Sequence, residues 1–156
     1  MKEKILLLTD IPPCTNYTGG IMLSQLVRFL IEEKIDVEYY SIEDPYLNAK
    51  IDTTVSDEVK LIRVNRPNEI ISKKNTYNNF SKKLKAVIKS VKNYISSNSF
   101  SKIWIVIQGE VMTEIAYHIM NDKNYKYIVQ IWDPIEWWTK ELNPEKYADT
   151  VEKVIK

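Results

Sequence analysis

Residues 4–42 read KILLLTDIPPCTNYTGGIMLSQLVRFLIEEKIDVEYYSI, and this stretch decides the fold. Its first six residues form a short apolar run that ends at Asp10, which is typical of a buried parallel strand. A helix begins near Gly20, because apolar residues then recur three and four positions apart along one broad face. A second strand is predicted at 37–42. This order of strand, helix and strand predicts a parallel sheet with right-handed crossovers.

The remaining sequence continues the alternation of strands and helices. Strands are predicted at 60–65, 102–107 and 125–132, and helices at 78–96, 111–120 and 144–156. The stretch between the second and third strands shows no periodicity and predicts a loop. We therefore expect a single domain over residues 1–156, of the α/β class. It would be a Rossmann-like, doubly wound, mainly parallel sheet with helices on both faces.

Composition excludes several classes of protein. The chain has 156 residues, 44% of them hydrophobic and 28% charged, which is ordinary for a soluble globular domain. No apolar run reaches the length of a membrane span or of a signal-peptide core, so we expect a cytoplasmic location. With one cysteine, Cys14, and one histidine, His118, a disulfide is excluded and a zinc site has no support. We expect neither a metal nor a cofactor.

The predicted helix 78–96 carries an unusual charge pattern. Residues 72–102 contain eight lysines and no acidic residue. A cationic face opposite an apolar stripe is typical of helices that contact an anionic membrane surface. The same pattern also fits a helix that covers a sheet and turns its lysines to solvent. Nucleic-acid binding is not expected, because arginines are few and no basic strand is interleaved with aromatic residues.

Two loops at the predicted carboxyl ends of strands carry candidate ligand-binding residues. The loop after the first strand ends in Gly19 and Gly20 without a dinucleotide or P-loop fingerprint. These glycines either admit a ligand phosphate to the helix amino terminus or simply shape the turn. In the loop after the strand at 102–107, Gln108 and Glu110 flank a glycine, and both side chains can hydrogen-bond a polyhydroxylated ligand.

The third loop follows the last predicted strand and reads WDPIEWW over residues 132–138. Asp133 directly after an apolar strand suits a general base that activates a hydroxyl, or an N-cap for the next segment. Glu136 adds a second carboxylate. Trp137 and Trp138 are adjacent, so a helix would project them about 100° apart, and one of them is expected to be exposed. An exposed indole suits stacking on a sugar, a lipid interface or a partner domain.

The segments 4–42 and QIWDPIEWW (130–138) resemble the amino-terminal domain of glycosyltransferases of the B-type fold. More narrowly, they resemble the family-4-like retaining enzymes that work on bacterial cell-surface sugars. The resemblance implies that the loop containing Asn16, Thr18 and the two glycines faces the donor diphosphate and the acceptor. It also implies that Asp133 lies at the cleft, although many relatives carry a histidine where this chain has Trp132.

The resemblance covers one of the two Rossmann-like domains of such an enzyme. It implies that this chain binds a sugar or lipid-linked acceptor, through Gln108, Glu110, Glu136 and the two tryptophans, in cell-surface polysaccharide or glycolipid synthesis. The nucleotide-sugar would bind mainly to the second domain, so this chain alone would be inactive. Two alternatives stay open: a non-catalytic subunit of a split transferase, and a flavodoxin-like ligand-binding module.

Overall fold

The computed structural model describes residues 3–66 and 74–132, without the side chains of 74–81 and of Glu110. Five strands and four helices alternate along this part of the chain. In chain order they are β1 (Lys4–Thr9), α1 (Thr18–Glu32), β2 (Asp36–Glu43), α2 (Thr53–Ser56), β3 (Lys60–Asn65), α3 (Lys74–Ser96), β4 (Lys102–Ile107), α4 (Glu110–Met120) and β5 (Lys126–Ile131).

The five strands form one parallel sheet in the order β3-β2-β1-β4-β5. The chain first moves outward from β1 to β3, then crosses back over the sheet and adds β4 and β5 on the other side of β1. This is the strand order of the Rossmann fold, whereas a flavodoxin-like sheet would run 2-1-3-4-5. The predicted α/β, Rossmann-like, parallel architecture is therefore confirmed.

Alternating side chains of each strand supply two apolar clusters, one on each face of the sheet. On β1, Leu7 packs with α1, while Leu6 and Leu8 pack with α3 and α4, and all three are fully buried. On β4, Val106 belongs to the α1 cluster and Ile105 to the α3 and α4 cluster. Burial on both faces explains why these strands are continuous apolar runs.

The helix α3 uses its apolar stripe for the core. Leu84, Ile88, Val91 and Ile95 are buried against the sheet, because their spacing of three and four places them on one face. The opposite face is exposed and carries five lysines of the described side chains, at positions 82, 83, 85, 89 and 92. The apolar stripe is therefore occupied by the sheet, and only the charged face is available to a membrane.

A buried carboxylate lies near the amino-terminal ends of the strands. Glu38 of β2 accepts a hydrogen bond from the Tyr94 hydroxyl and pairs with Lys4 Nζ at 2.7 Å and Lys60 Nζ at 3.7 Å. Burial alone would raise the pKa of Glu38, but the hydrogen bonds from Lys4 and Tyr94 and the charges of both lysines hold the pKa below its ordinary value. One side chain thus links three strands to α3.

The sequence prediction missed the short helix α2, which lies in the stretch expected to be a loop. Its four residues are too few to show a helical period. The Asp52 side chain caps it by accepting a hydrogen bond from the Thr54 amide, and Arg28 of α1 donates to the Asp52 carboxylate at 2.7 Å. The predicted helix 144–156 lies outside the described residues.

Candidate functional site

The winding of the chain reverses between β1 and β4, which are neighbours in the sheet. After β1 the chain enters α1 on one face, and after β4 it enters α4 on the opposite face. The loops that leave the two strands therefore diverge at their carboxyl ends. Ligands of open α/β sheets bind at such a reversal. The predicted loops 10–20 and 108–110 both begin here.

The loop after β1 is fastened to the loop between β2 and α2. The Asn16 amide donates to the Asn48 carbonyl at 2.8 Å, and its oxygen accepts from the Lys50 amide at 2.8 Å. Backbone hydrogen bonds from Thr15 to Lys50 and from Asp52 to Pro13 join the same two loops. Asn16 was predicted to face a ligand. Its side-chain amide joins two loops in this structure, and a ligand contact stays a prediction.

Close packing gives Gly19 and Gly20, which lie in the first turn of α1 and not in the predicted loop, a structural function. A Cβ on Gly20 would lie 2.1 Å from Cys14 Sγ and 2.8 Å from the Pro12 carbonyl oxygen, so only glycine fits there. A Cβ on Gly19 would lie 2.7 Å from Cζ3 of Trp132. These packing contacts are sufficient to explain the two glycines without a bound ligand. Binding of a phosphate by the amides of Gly19 and Gly20 stays a prediction, as does a role for the exposed Thr18.

The loop after β4 turns through a glycine with a positive φ. Gly109 has φ of 97° and is the N-cap of α4, and its carbonyl accepts hydrogen bonds from the Thr113 hydroxyl (3.0 Å) and amide (3.2 Å). A Cβ on Gly109 would meet no atom within 4 Å, so the backbone conformation and not the space favours glycine. Gln108, which precedes it, is half-buried.

Trp132, the residue after β5, connects the end of this strand to α1 through its side chain. Its amide donates to the Ile107 carbonyl at 3.2 Å, which continues the parallel ladder one step beyond β5. Its ring packs against Gly19 and joins the apolar cluster beneath α1. The sequence prediction chose Trp137 and Trp138 as ligand contacts and did not include Trp132. The alternation of Gln130 and Trp132 at the end of the predicted strand 125–132 was the available signal, and it indicated packing against the sheet.

Two buried polar atoms near this reversal have no hydrogen-bond partner among the described residues. They are Oε1 of Gln108 and Nε1 of Trp132. The first can only accept a hydrogen bond and the second can only donate one. Buried polar atoms in folded proteins nearly always have a partner, so these two atoms are exceptions that need an explanation.

Buried polar groups also gather at the carboxyl ends of β1 and β2. Glu43 is buried and accepts two hydrogen bonds from Arg63, at 2.7 Å from Nε and 2.6 Å from Nη2. These bonds raise the pKa of the Arg63 guanidinium. The Tyr39 hydroxyl donates to the Ile11 carbonyl at 2.6 Å, and burial, with the nearby Asp10 carboxylate, raises the pKa of Tyr39 well above its ordinary value. The pair and the tyrosine stabilise this edge.

The sequence also left a Cys14–His118 nucleophilic pair conceivable. Cys14 is buried against Gly20 on the α1 face of the sheet, whereas His118 lies on α4, which covers the other face. Nε2 of His118 lies 3.4 Å from a carboxylate oxygen of Glu114. The two side chains therefore do not form one site. Within 3–66 and 74–132, no group of three or more His, Cys, Asp or Glu side chains is placed to hold a metal ion.

The predicted residues Asp133, Glu136, Trp137 and Trp138 lie outside the described residues, as does the Glu110 side chain. Their roles stay predictions. The structure gives the position of Trp132, the residue that directly precedes Asp133 in the chain. The chain reaches Asp133 directly from Trp132, whose ring contacts α1 beside the reversal between β1 and β4.

Comparison with known proteins supports the fold and nothing narrower. No family model and no curated protein matches the chain. Two crystal structures of the C-terminal domain of a hydrogenase from Pyrococcus furiosus are similar to it. The first has a TM-score of 0.59 at 13% sequence identity, over 83% of this chain and 94% of that domain. The second has a TM-score of 0.58 at 14% identity, over 83% and 92%. At this identity the likeness defines an α/β domain.

None of the described helices is both long enough and apolar enough to cross a membrane.

Proposed function

We propose that this chain is the acceptor-binding, amino-terminal domain of a B-type glycosyltransferase. The observation that carries the proposal is that the loops after β1 and β4 leave the sheet where its winding reverses, with the Trp132 ring against Gly19 at the same place, in a sheet with Rossmann strand order. The resemblance of residues 4–42 and 130–138 to the family-4-like transferases supports the same assignment. The flavodoxin-like alternative receives no support from the strand order.

The proposed chemistry is the transfer of a sugar from a nucleotide-sugar to a hydroxyl of a sugar or lipid-linked acceptor. Asp133 would orient the acceptor hydroxyl or remove its proton. Glu136, Trp137 and Trp138 would bind the acceptor from the same segment, and Gln108 and Glu110 from the loop after β4. The nucleotide would bind mainly to a second Rossmann-like domain, so the loop of Asn16, Thr18, Gly19 and Gly20 would contact only the donor diphosphate.

A peripheral position at the cytoplasmic side of a membrane is part of the proposal. Five exposed lysines on α3 support it, because such a face is attracted to anionic lipid. A lipid-linked acceptor also lies at that surface. The contact would be electrostatic, since the apolar stripe of α3 is already buried against the sheet.

Ligand-observed saturation-transfer NMR on the 156-residue chain tests the proposal. The probes are methyl glycosides of glucose, galactose and N-acetylglucosamine, with UDP-glucose and FMN for comparison. We expect at least one methyl glycoside to bind in the millimolar range and UDP-glucose to bind no more tightly. Micromolar binding of UDP-glucose, with no glycoside bound, would indicate that this chain binds the donor and not the acceptor. It would contradict the proposal. Binding of FMN would favour the flavodoxin-like module.

Activity gives a second test, in an enzyme that also contains the second domain. Replacing Asp133 by Asn keeps the shape of the side chain and removes its basicity. We expect kcat to fall by about 10²–10⁴, the usual contribution of a general base. An unchanged kcat would remove the proposed role of Asp133.

A further inference from the structure

Strands β4 and β5 carry two tryptophan–glutamine pairs on the face toward α1. In the first pair, Trp104 of β4 donates through Nε1 to Oε1 of Gln130 on β5, at 3.2 Å. The second pair comes at the strand ends, with the residue types exchanged: Gln108 follows β4 and Trp132 follows β5. Because Ile107 is opposite Ile131 in the register, Gln108 and Trp132 are neighbours across the two strands.

The second pair differs from the first because its polar atoms are unbonded. Oε1 of Gln108 and Nε1 of Trp132 are both buried, and neither has a partner within the described chain. A buried polar atom that is left without a hydrogen bond destabilises the folded protein. Two complementary atoms at neighbouring positions therefore indicate a site where an outside group supplies both bonds.

The surroundings hold the indole in place. The Trp132 ring and the Ile11 side chain both lie against Gly19, where a Cβ would come within 2.7 Å of the ring. This packing fixes the ring, and with it the direction of the N–H bond. Gly109, which follows Gln108, has space around it, because a Cβ at that position would have no atom within 4 Å.

We propose that Gln108 and Trp132 form a binding subsite for a single hydroxyl group of a sugar. The hydroxyl oxygen would accept from Trp132 Nε1, and its proton would be donated to Gln108 Oε1. A fully ionised phosphate or carboxylate has no proton to donate, and an ammonium group cannot accept, so the pair favours a neutral hydroxyl. The choice of a sugar rests on the proposed acceptor function. Both atoms are buried beyond the reach of a water-sized group in this structure, so the hydroxyl would enter only as the Gln108 side chain moves aside.

Stability measurements separate this subsite from a structural hydrogen bond. Gln108→Leu removes an unbonded acceptor and keeps a side chain of similar size. We expect its unfolding midpoint in urea to equal or exceed that of the wild type. The matched control, Trp104→Phe, removes the donor of the bonded pair and leaves Gln130 Oε1 without its hydrogen bond, so its midpoint should fall. If the unfolding midpoint of Gln108→Leu falls as far as that of Trp104→Phe, the Gln108 side-chain amide has a partner inside the protein. That result would refute the subsite.

Binding measurements test the ligand. The probe is the methyl glycoside that binds the wild type, compared with its per-O-methylated form, which has no hydroxyl to donate. We expect Gln108→Leu and Trp132→Phe each to weaken binding about tenfold, the effect of roughly one lost hydrogen bond. Trp104→Phe should not weaken it, and the methylated form should not bind to any variant.

The outcomes distinguish the subsite from the proposed function. Glycoside binding that survives Gln108→Leu unchanged refutes the subsite and leaves the acceptor function standing. If no glycoside binds the wild type, the acceptor function fails, and myo-inositol becomes the probe of the subsite alone. Inositol binding that depends on Gln108 would keep a hydroxyl subsite, and no inositol binding would refute it.

Discussion

Gly20 of α1 and Cys14 of the preceding loop are packed so closely that a Cβ on Gly20 would stand 2.1 Å from the cysteine sulfur. The Pro12 carbonyl oxygen would lie 2.8 Å from the same Cβ. No rotation of a side chain relieves the second contact, because it involves the backbone. The path of the loop out of β1 therefore depends on the missing side chain of Gly20.

We predict that Gly20→Ala lowers the free energy of unfolding by about 1–3 kcal/mol, the usual cost of overpacking a core. Urea denaturation measures the change. Adding Cys14→Ala should recover part of the loss, because it removes the sulfur atom that the new methyl group meets. A Gly20→Ala protein within 0.5 kcal/mol of the wild type would show that the loop moves without cost.

A substitution of Asn16 tests whether its side chain stabilises the contact between two loops or binds a ligand. Asn16→Ala removes hydrogen bonds to the backbone of Asn48 and Lys50. We expect the Lys50 amide to exchange its hydrogen faster, and the protein to lose about 1–2 kcal/mol of stability. Hydrogen exchange followed by NMR measures the first effect. Unchanged exchange at Lys50, together with weakened ligand binding, would instead favour the role implied by the family resemblance.

The buried Glu38 predicts how stability depends on pH. Its pKa is lower in the folded protein than in the unfolded chain, where a glutamate has a pKa of about 4.3. Its contribution is therefore complete above that pH and is lost as the pH falls through the lower folded value. Glu38→Gln should cost about 1–3 kcal/mol at pH 7, and the difference from the wild type should shrink toward pH 3.

Denaturation of both proteins between pH 7 and pH 3 measures this dependence. The exposed Glu58 provides a matched control, since Glu58→Gln should change stability little at any pH. Tyr94→Phe should reproduce part of the Glu38→Gln effect, because Tyr94 donates one of the hydrogen bonds to the carboxylate. A difference between wild type and Glu38→Gln that stays constant with pH would contradict the assigned cause.

Local patterns were sufficient to predict most of the fold. The bounds of β1 and β4 agree with those predicted from their apolar runs, because strands buried on both faces are apolar without interruption. The bounds of the edge strand β3 also agree with the prediction, although β3 is only partly buried. The alternation of strands with helices predicted the parallel sheet. The helix α2 was missed because its Asp52 cap and its contact with Arg28 stabilise it, and neither produces a periodic sequence.

The site was predictable only in part, because its contacts join distant segments. Gly19 and Trp132 are far apart in the sequence, and nothing local in either segment indicates that the indole packs on the glycine. The same holds for Asn16, whose polar atoms suggested a ligand contact until the neighbouring loop supplied their partners. Sequence patterns placed these residues at the correct edge of the sheet, and the tertiary packing decided what they contact.

The exposed lysine face of α3 predicts how the protein binds membranes, because the apolar stripe of the same helix is buried and unavailable to lipid. Lysines 82, 85, 89 and 92 face solvent, while Leu84, Ile88, Val91 and Ile95 are held in the core. Binding to lipid must then be electrostatic, so it should require anionic vesicles and disappear at high salt.

Co-sedimentation with vesicles of phosphatidylcholine alone, or mixed with phosphatidylglycerol, measures this binding. We expect binding only to the mixed vesicles, at 50 mM but not at 500 mM salt. The variant with Glu at positions 82, 85, 89 and 92 should not bind, although it should remain folded because these side chains are exposed. The variant Lys34→Glu, Lys50→Glu, Lys123→Glu, Lys126→Glu makes the same change in net charge away from α3, at exposed positions, and should still bind. Loss of binding in both variants would assign the attraction to net charge and not to α3.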